Sequence, residues 1–129
     1  MKNILLLIFI SLSSLIAKEG VYYYESGKQI YLHPLKNSFR TTKQTDYYEN
    51  EKGIVVGVTD KLLVKMVNTT KLDMLIQEFH LKIVKKISND LFLLQTSNKK
   101  ETLRIANQLY QRKDVLFAHP DFIKKHFKR

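Results

Sequence analysis

The chain has 129 residues, 44% of them apolar, with four Gly, two Pro and no Cys. That is enough for one compact domain with a short appendage, and it argues against disorder, a disulfide framework and thiolate metal sites. The formal net charge is +10 and is unevenly placed: residues 18–60 hold six basic and six acidic side chains, whereas residues 61–129 hold 15 basic and six acidic. Such a bias suits an acidic protein partner, an anionic envelope surface, or simply solubility.

The N-terminus reads Met1-Lys2-Asn3, then an apolar run over 4–10, a patch with Ser11, Ser13 and Ser14, and Leu15-Ile16-Ala17 before Lys18-Glu19. A basic start, a short apolar stretch and a small residue ahead of charge are the three parts of a secretory signal peptide, with cleavage expected after Ala17. The apolar stretch falls short of the roughly 20 residues needed to span a bilayer. The mature protein is therefore expected in the periplasm or beyond, with no stable membrane span. No nucleic-acid partner is expected, because the lysines are spread over several elements and export removes the chain from nucleic acid.

Residues 21–33 hold two β-favouring runs around Glu25-Ser26-Gly27-Lys28 and predict a hairpin, ended by His33-Pro34. The polar stretch 35–52 reads as a loop or linker, with Tyr47-Tyr48 to pin it, and 54–58 as a short strand. Leu62, Val64 and Met66 alternate as a strand does. Thr70 and Asp73 resemble a capping box, and Leu72, Leu75, Ile76 and Phe79 form a helical stripe. Leu81, Ile83 and Ile87 mark a strand that Ser88-Asn89-Asp90 turns into another over 91–96. Asn98 caps a second helix with Glu101 three residues on and a stripe of Thr102, Ile105, Ala106 and Leu109. Residues 115–118 form the last strand, closed by Pro120.

From Lys61 the predicted order is β-α-β-β-α-β. The expected class is α+β: a ferredoxin-like βαββαβ antiparallel sheet with two helices on one face and the other face open, preceded by an N-terminal β-hairpin segment. The domain plan is a signal peptide over 1–17, a hairpin and linker segment over 18–58, a folded domain over 59–122 and a tail over 123–129.

Catalysis needs converging polar groups, and His33, His80, His119 and His126 fall on different elements with no metal-binding spacing. There is no nucleophile elbow and no glycine-rich phosphate loop. No catalytic residue, metal or cofactor is predicted. Asn68-Thr69-Thr70 matches a glycosylation sequon, but the same residues suit a strand end and helix cap. Tyr22-Tyr23-Tyr24 suits a strand packed on both faces, or an aromatic recognition surface.

From Leu62-Leu63-Val64-Lys65-Met66 to the closing segment Val115, Phe117, Ala118, Pro120, Asp121 and Phe122, the chain resembles the N-terminal prodomain of subtilisin-like, fervidolysin-type serine proteases, without the protease domain. The resemblance implies an inhibitor or intramolecular chaperone that packs its open sheet face on a subtilisin-like serine protease, in trans or originally in cis. It also implies a protease-binding tail of Asp121, Phe122, Ile123, Lys124, Lys125, His126 and Phe127 lying in the active-site cleft. The alternatives are an N-terminal remnant of an interrupted protease gene, or a basic envelope-binding module.

Overall fold

The computed structural model describes residues 21–35 and 45–124. The expected signal peptide and the tail residues Lys125, His126 and Phe127 lie outside the described residues. Strand β1 (Val21–Glu25) returns as β2 (Lys28–Pro34) through Ser26 and Gly27, both at positive φ (51° and 79°). Two successive left-handed residues make the turn whose twist matches paired strands, and Gly27 adopts it without a Cβ penalty. Strand alternation then sorts the tyrosines. Tyr23 joins Val21, Ile30 and Leu32 in an apolar cluster, while Tyr22, Tyr24 and Tyr31 meet edge to face, Tyr22 lying 5.6 Å from Tyr24 and 5.9 Å from Tyr31.

The stretch expected as a linker is in part a strand. β3 (Asp46–Asn50) pairs with β2 and with β4 (Val55–Val58), and β4 in turn pairs with β9 (Ile123–Lys124), giving a five-stranded antiparallel sheet in the order β1-β2-β3-β4-β9. Asn50 shapes the β3–β4 turn, its Oδ1 accepting from Lys52 N at 2.9 Å and Ile54 N at 3.0 Å.

A second, four-stranded antiparallel sheet has the order β6-β7-β5-β8, built from β5 (Lys61–Met66), β6 (Lys82–Lys86), β7 (Leu91–Gln95) and β8 (Val115–Pro120). Helix α1 (Leu72–Phe79) follows β5. It is led in by a 3-10 turn over Thr69–Lys71 that Asn68, not the expected Thr70, caps: Asn68 Oδ1 accepts from Thr70 N at 3.1 Å. Helix α1 ends at His80, in the left-handed region (φ 55°), with Leu81 N donating to Ile76 O at 2.9 Å. This is the six-to-one bond of a Schellman ending. Helix α2 (Lys99–Tyr110) is capped as predicted by Asn98, whose Oδ1 accepts from Lys100 N at 2.9 Å.

The expected fold class is overturned. The described chain is mostly β, two antiparallel sheets with nine strands and two short α-helices, and not a ferredoxin-like βαββαβ fold with an appended hairpin. The reason lies in residues 21–58 and 121–124. They assemble a sheet with its own apolar cluster of Tyr23, Leu32 and Val56, against which Tyr48, Leu103 and Phe122 pack.

Helix α2 joins the two cores. Thr102, Ile105, Ala106 and Leu109 are buried with Leu62, Val64, Phe92 and Leu94 of the four-stranded sheet, while Leu103 packs on the other cluster. Each fully buried Leu or Ile contributes about 1.5–3 kcal/mol relative to exposure. Polar bonds pin the same helix to the five-stranded sheet. Asn107 Nδ2 donates to Tyr22 O at 2.9 Å, Tyr110 stacks on Tyr24 at 4.3 Å, and Lys99 pairs with Asp46 at 2.8 Å. At the β4–β5 crossing, Thr102 Oγ1 donates to Thr59 O at 2.7 Å.

Candidate binding surfaces

The four-stranded sheet buries one face, with Leu62, Val64 and Met66 of β5 and Phe92 and Leu94 of β7 inside the helix-covered core. The intervening residues point the other way and are half-exposed. Register aligns them in rows. Lys85, Leu93, Leu63 and His119 lie side by side across β6, β7, β5 and β8. Leu91, Lys65 and Phe117 form the row on one side, and Lys82, Gln95 and Lys61 the row on the other. Phe117 and His119 stack at 5.3 Å with rings 11° apart.

This face is therefore an apolar patch in a basic frame. Lys61 is matched by Asp60 at 3.2 Å and Lys65 by Asp90 at 3.9 Å, whereas Lys82 and Lys85, on the exposed edge strand, have no ion pair among the described residues. Burial alone would raise the Asp60 carboxyl pKa, but hydrogen bonds from Gln95 (2.7 Å) and Lys61, together with the Lys61 charge, outweigh it and hold the pKa below its ordinary value.

The residues expected to form a closing motif and tail divide by role. Val115, Ala118 and Pro120 are buried in β8, and Phe117 faces the open side. Asp121 N donates to Lys61 O at 3.0 Å, Phe122 lies 4.6 Å from Tyr23 in the second cluster, and Ile123 and Lys124 are β9. Residues 121–124 are thus bonded to and packed on the protein's own sheets.

A second surface was not foreseen. Between the β1–β2 hairpin, the β3–β4 turn and the β8–β9 link lies a pocket of about 350 Å³ with Tyr23, Ile30, Val56 and Phe122 among its walls and Glu25, Glu51 and Asp121 around it. Its residues are up to about 100 positions apart in the chain. The one signal present in the sequence was alternation, which puts Tyr23 and Glu25 on a common face of β1. His33, His80 and His119 lie on β2, after α1 and on β8, and among the described residues no group of three His, Asp or Glu is placed to hold a metal. Among those residues, too, no helix is long and apolar enough to cross a membrane.

The fold and these surfaces define a small two-sheet domain with one open sheet face and a pocket between its loops. The chain belongs to the family described as the open reading frame 2 N-terminal domain, which it matches over residues 11–129. No curated protein and no solved structure matches it. The resemblance to a subtilisin prodomain is thereby overturned. Its closing motif has a local cause: Val115, Ala118, Pro120 and Phe122 are apolar because each fills one of the two cores or the strand between them.

Proposed function

We propose that the chain is an exported, non-catalytic protein-binding domain that takes an acidic, partly apolar protein surface on the open face of its four-stranded sheet. The row Lys85–Leu93–Leu63–His119 carries this reading: two leucines face outward on strands that no described element covers, with lysines at the sheet edge that have no ion pair among the described residues. Apolar contact at the centre supplies affinity, and rim charges supply orientation and encounter rate. A protease as partner rested on the prodomain resemblance and is set aside with it. Export rests on the layout of residues 1–17.

The test is site-specific photo-crosslinking in cells that export the protein. A photoreactive amino acid in place of Leu93 should give one discrete protein adduct, lost in a Lys82→Glu/Lys85→Glu background. The same group at Gln77, exposed on α1, should give none. Identical adducts from both positions, or adducts with lipid alone, would refute the open-face reading.

A further inference from the structure

Strand β6 ends the four-stranded sheet and pairs on one side only, with β7. Along its other side, backbone N–H and C=O groups have no strand to meet among the described residues, and such an edge is a template for an incoming strand. All five residues of β6 are exposed. Its apolar side chains are exposed with the rest: Ile83 by 50%, Val84 by 44%, and Ile87 just beyond the strand by 46%.

The charge of this edge has one sign. Residues 80–89 contain Lys82, Lys85 and Lys86 and no acid, and none of these lysines has an ion pair among the described residues. Asp90, in the turn that follows, is taken by Ser88 at 3.0 Å and by Lys65 at 3.9 Å. Register spreads the charge over both sides of the strand. Lys82 and Lys85 lie beside Gln95 and Leu93 of the open face, and Lys86 lies beside Phe92 of the helix-covered one.

Ile83 pairs with Leu94 and Lys85 with Leu93, which leaves Val84 as the extra residue of a bulge. Lysines and a bulge are devices that stop a sheet edge from pairing with its own kind, and here they act against every segment of this chain. A second copy laid antiparallel about Val84 would set Lys82 of each copy against Lys86 of the other, and like charges directly opposed destabilise a sheet. Residues 36–44 and 125–129 contain basic side chains and no acid, and residues 1–20 hold Glu19 against Lys2 and Lys18. The same devices leave Ile83, Val84 and Ile87 uncovered, and they favour a strand of opposite charge.

We infer that β6 receives an acidic, extended segment of a partner polypeptide, which adds to the sheet as a fifth strand. Backbone hydrogen bonds along the edge hold it, its carboxylates meet the three lysines, and apolar residues between them cover Ile83 and Ile87. The inference rests on the open-face reading for its partner, an acidic and partly apolar protein, and adds how that partner is gripped.

The test is a titration of the isotopically labelled protein with acetyl-Val-Glu-Glu-Ile-Glu-Val-amide, whose carboxylates can oppose Lys86, Lys85 and Lys82 in an antiparallel strand. Amides of β6 should show saturable shifts and slower hydrogen exchange. The peptide with glutamine in place of glutamate should bind at least about fivefold more weakly, and Lys82→Gln/Lys85→Gln/Lys86→Gln should weaken the glutamate peptide similarly. Backbone N–H groups of a strand alternate between its two edges, so N-methylation of one alternate set of peptide residues should abolish binding and N-methylation of the other should spare it. The inference is overturned if both methylated peptides bind like the parent, if glutamine serves as well as glutamate, or if no saturable shift appears at about 10 mM peptide. Shifts at Leu63, Leu93 and Phe117 without slower exchange along β6 would overturn strand addition and leave the open-face reading standing. Slower exchange along β6 with no Leu93 adduct in cells would do the reverse.

Discussion

Replacing Thr102 by valine removes one hydroxyl from the place where the two sheets join. Thr102 is 0% exposed, so the near-isosteric valine opens no cavity and the two residues have similar helix propensity. What is lost is a donor. Thr102 Oγ1 lies 2.7 Å from Thr59 O and 3.1 Å from Thr96 Oγ1, and Thr96 itself bonds Asn98 O at 2.8 Å and Asp60 O at 3.2 Å. Removing it leaves the Thr59 carbonyl without this bond at a buried crossing, at a cost of about 1–3 kcal/mol. With a urea m-value of about 2 kcal/mol per M, the midpoint should fall by roughly 0.5–1.5 M at unchanged slope. Thr102→Ser is the control: it keeps the hydroxyl and deletes one methyl, worth about 1 kcal/mol. A Thr102→Val midpoint equal to wild type, or a serine variant less stable than the valine variant, would refute the role assigned to the hydroxyl.

Other expectations concern the sheets and the tail. At Gly57, an added Cβ would sit 2.7 Å from Thr45 Cγ2 and 3.0 Å from Tyr47 Cε1; Gly57→Ala should cost about 1–3 kcal/mol by overpacking, read as a lowered thermal midpoint. Phe122→Ala should destabilise by about 2–3 kcal/mol, because the ring is half-buried against Tyr23; a frayed tail would show no loss in the same melt. Asp60 carries a pH signature. Its folded pKa is held below the unfolded value of about 3.9, so its contribution is fully present above that pH and is lost as pH falls through the folded value. Gln95→Leu should flatten that loss in acid titrations followed by circular dichroism.

Much of the local structure was legible because it is set within a few residues. The Ser26-Gly27 turn, the Asn98 cap and the stripes of both helices depend on neighbours in the chain. The five-stranded sheet was not legible as a sheet, since β3 and β9 hide their character and β4 hides its partners. In β3, Asp-Tyr-Tyr-Glu-Asn reads as polar turn chemistry, though Tyr48 turns inward. β4 was expected as a short strand over 54–58, but nothing in the run showed its partners, which depend on Gly57 leaving room for the Tyr47 ring. β9 has two residues, too few for any period. Thr102 counted as one more apolar position, and its hydroxyl gained meaning only once Thr59, 43 positions away, lay beside it. Leu103, off the expected stripe, was the available sign that α2 serves two cores. The open face followed from alternation, whereas the pocket draws on three separated segments that no spacing connects.

The chain crosses from one sheet to the other at Thr59–Asp60 and returns at Asp121–Phe122, and Asp121 N bonds Lys61 O where the crossings meet. Two passes bonded to each other hold the sheets more firmly than one, and α2 adds its bonds to Thr59, Tyr22 and Asp46. This arrangement supplies cohesion in a protein without cysteine. It also places both surfaces on one short stretch: Phe117 and His119 face the open side, while His119, Asp121 and Phe122 line the pocket.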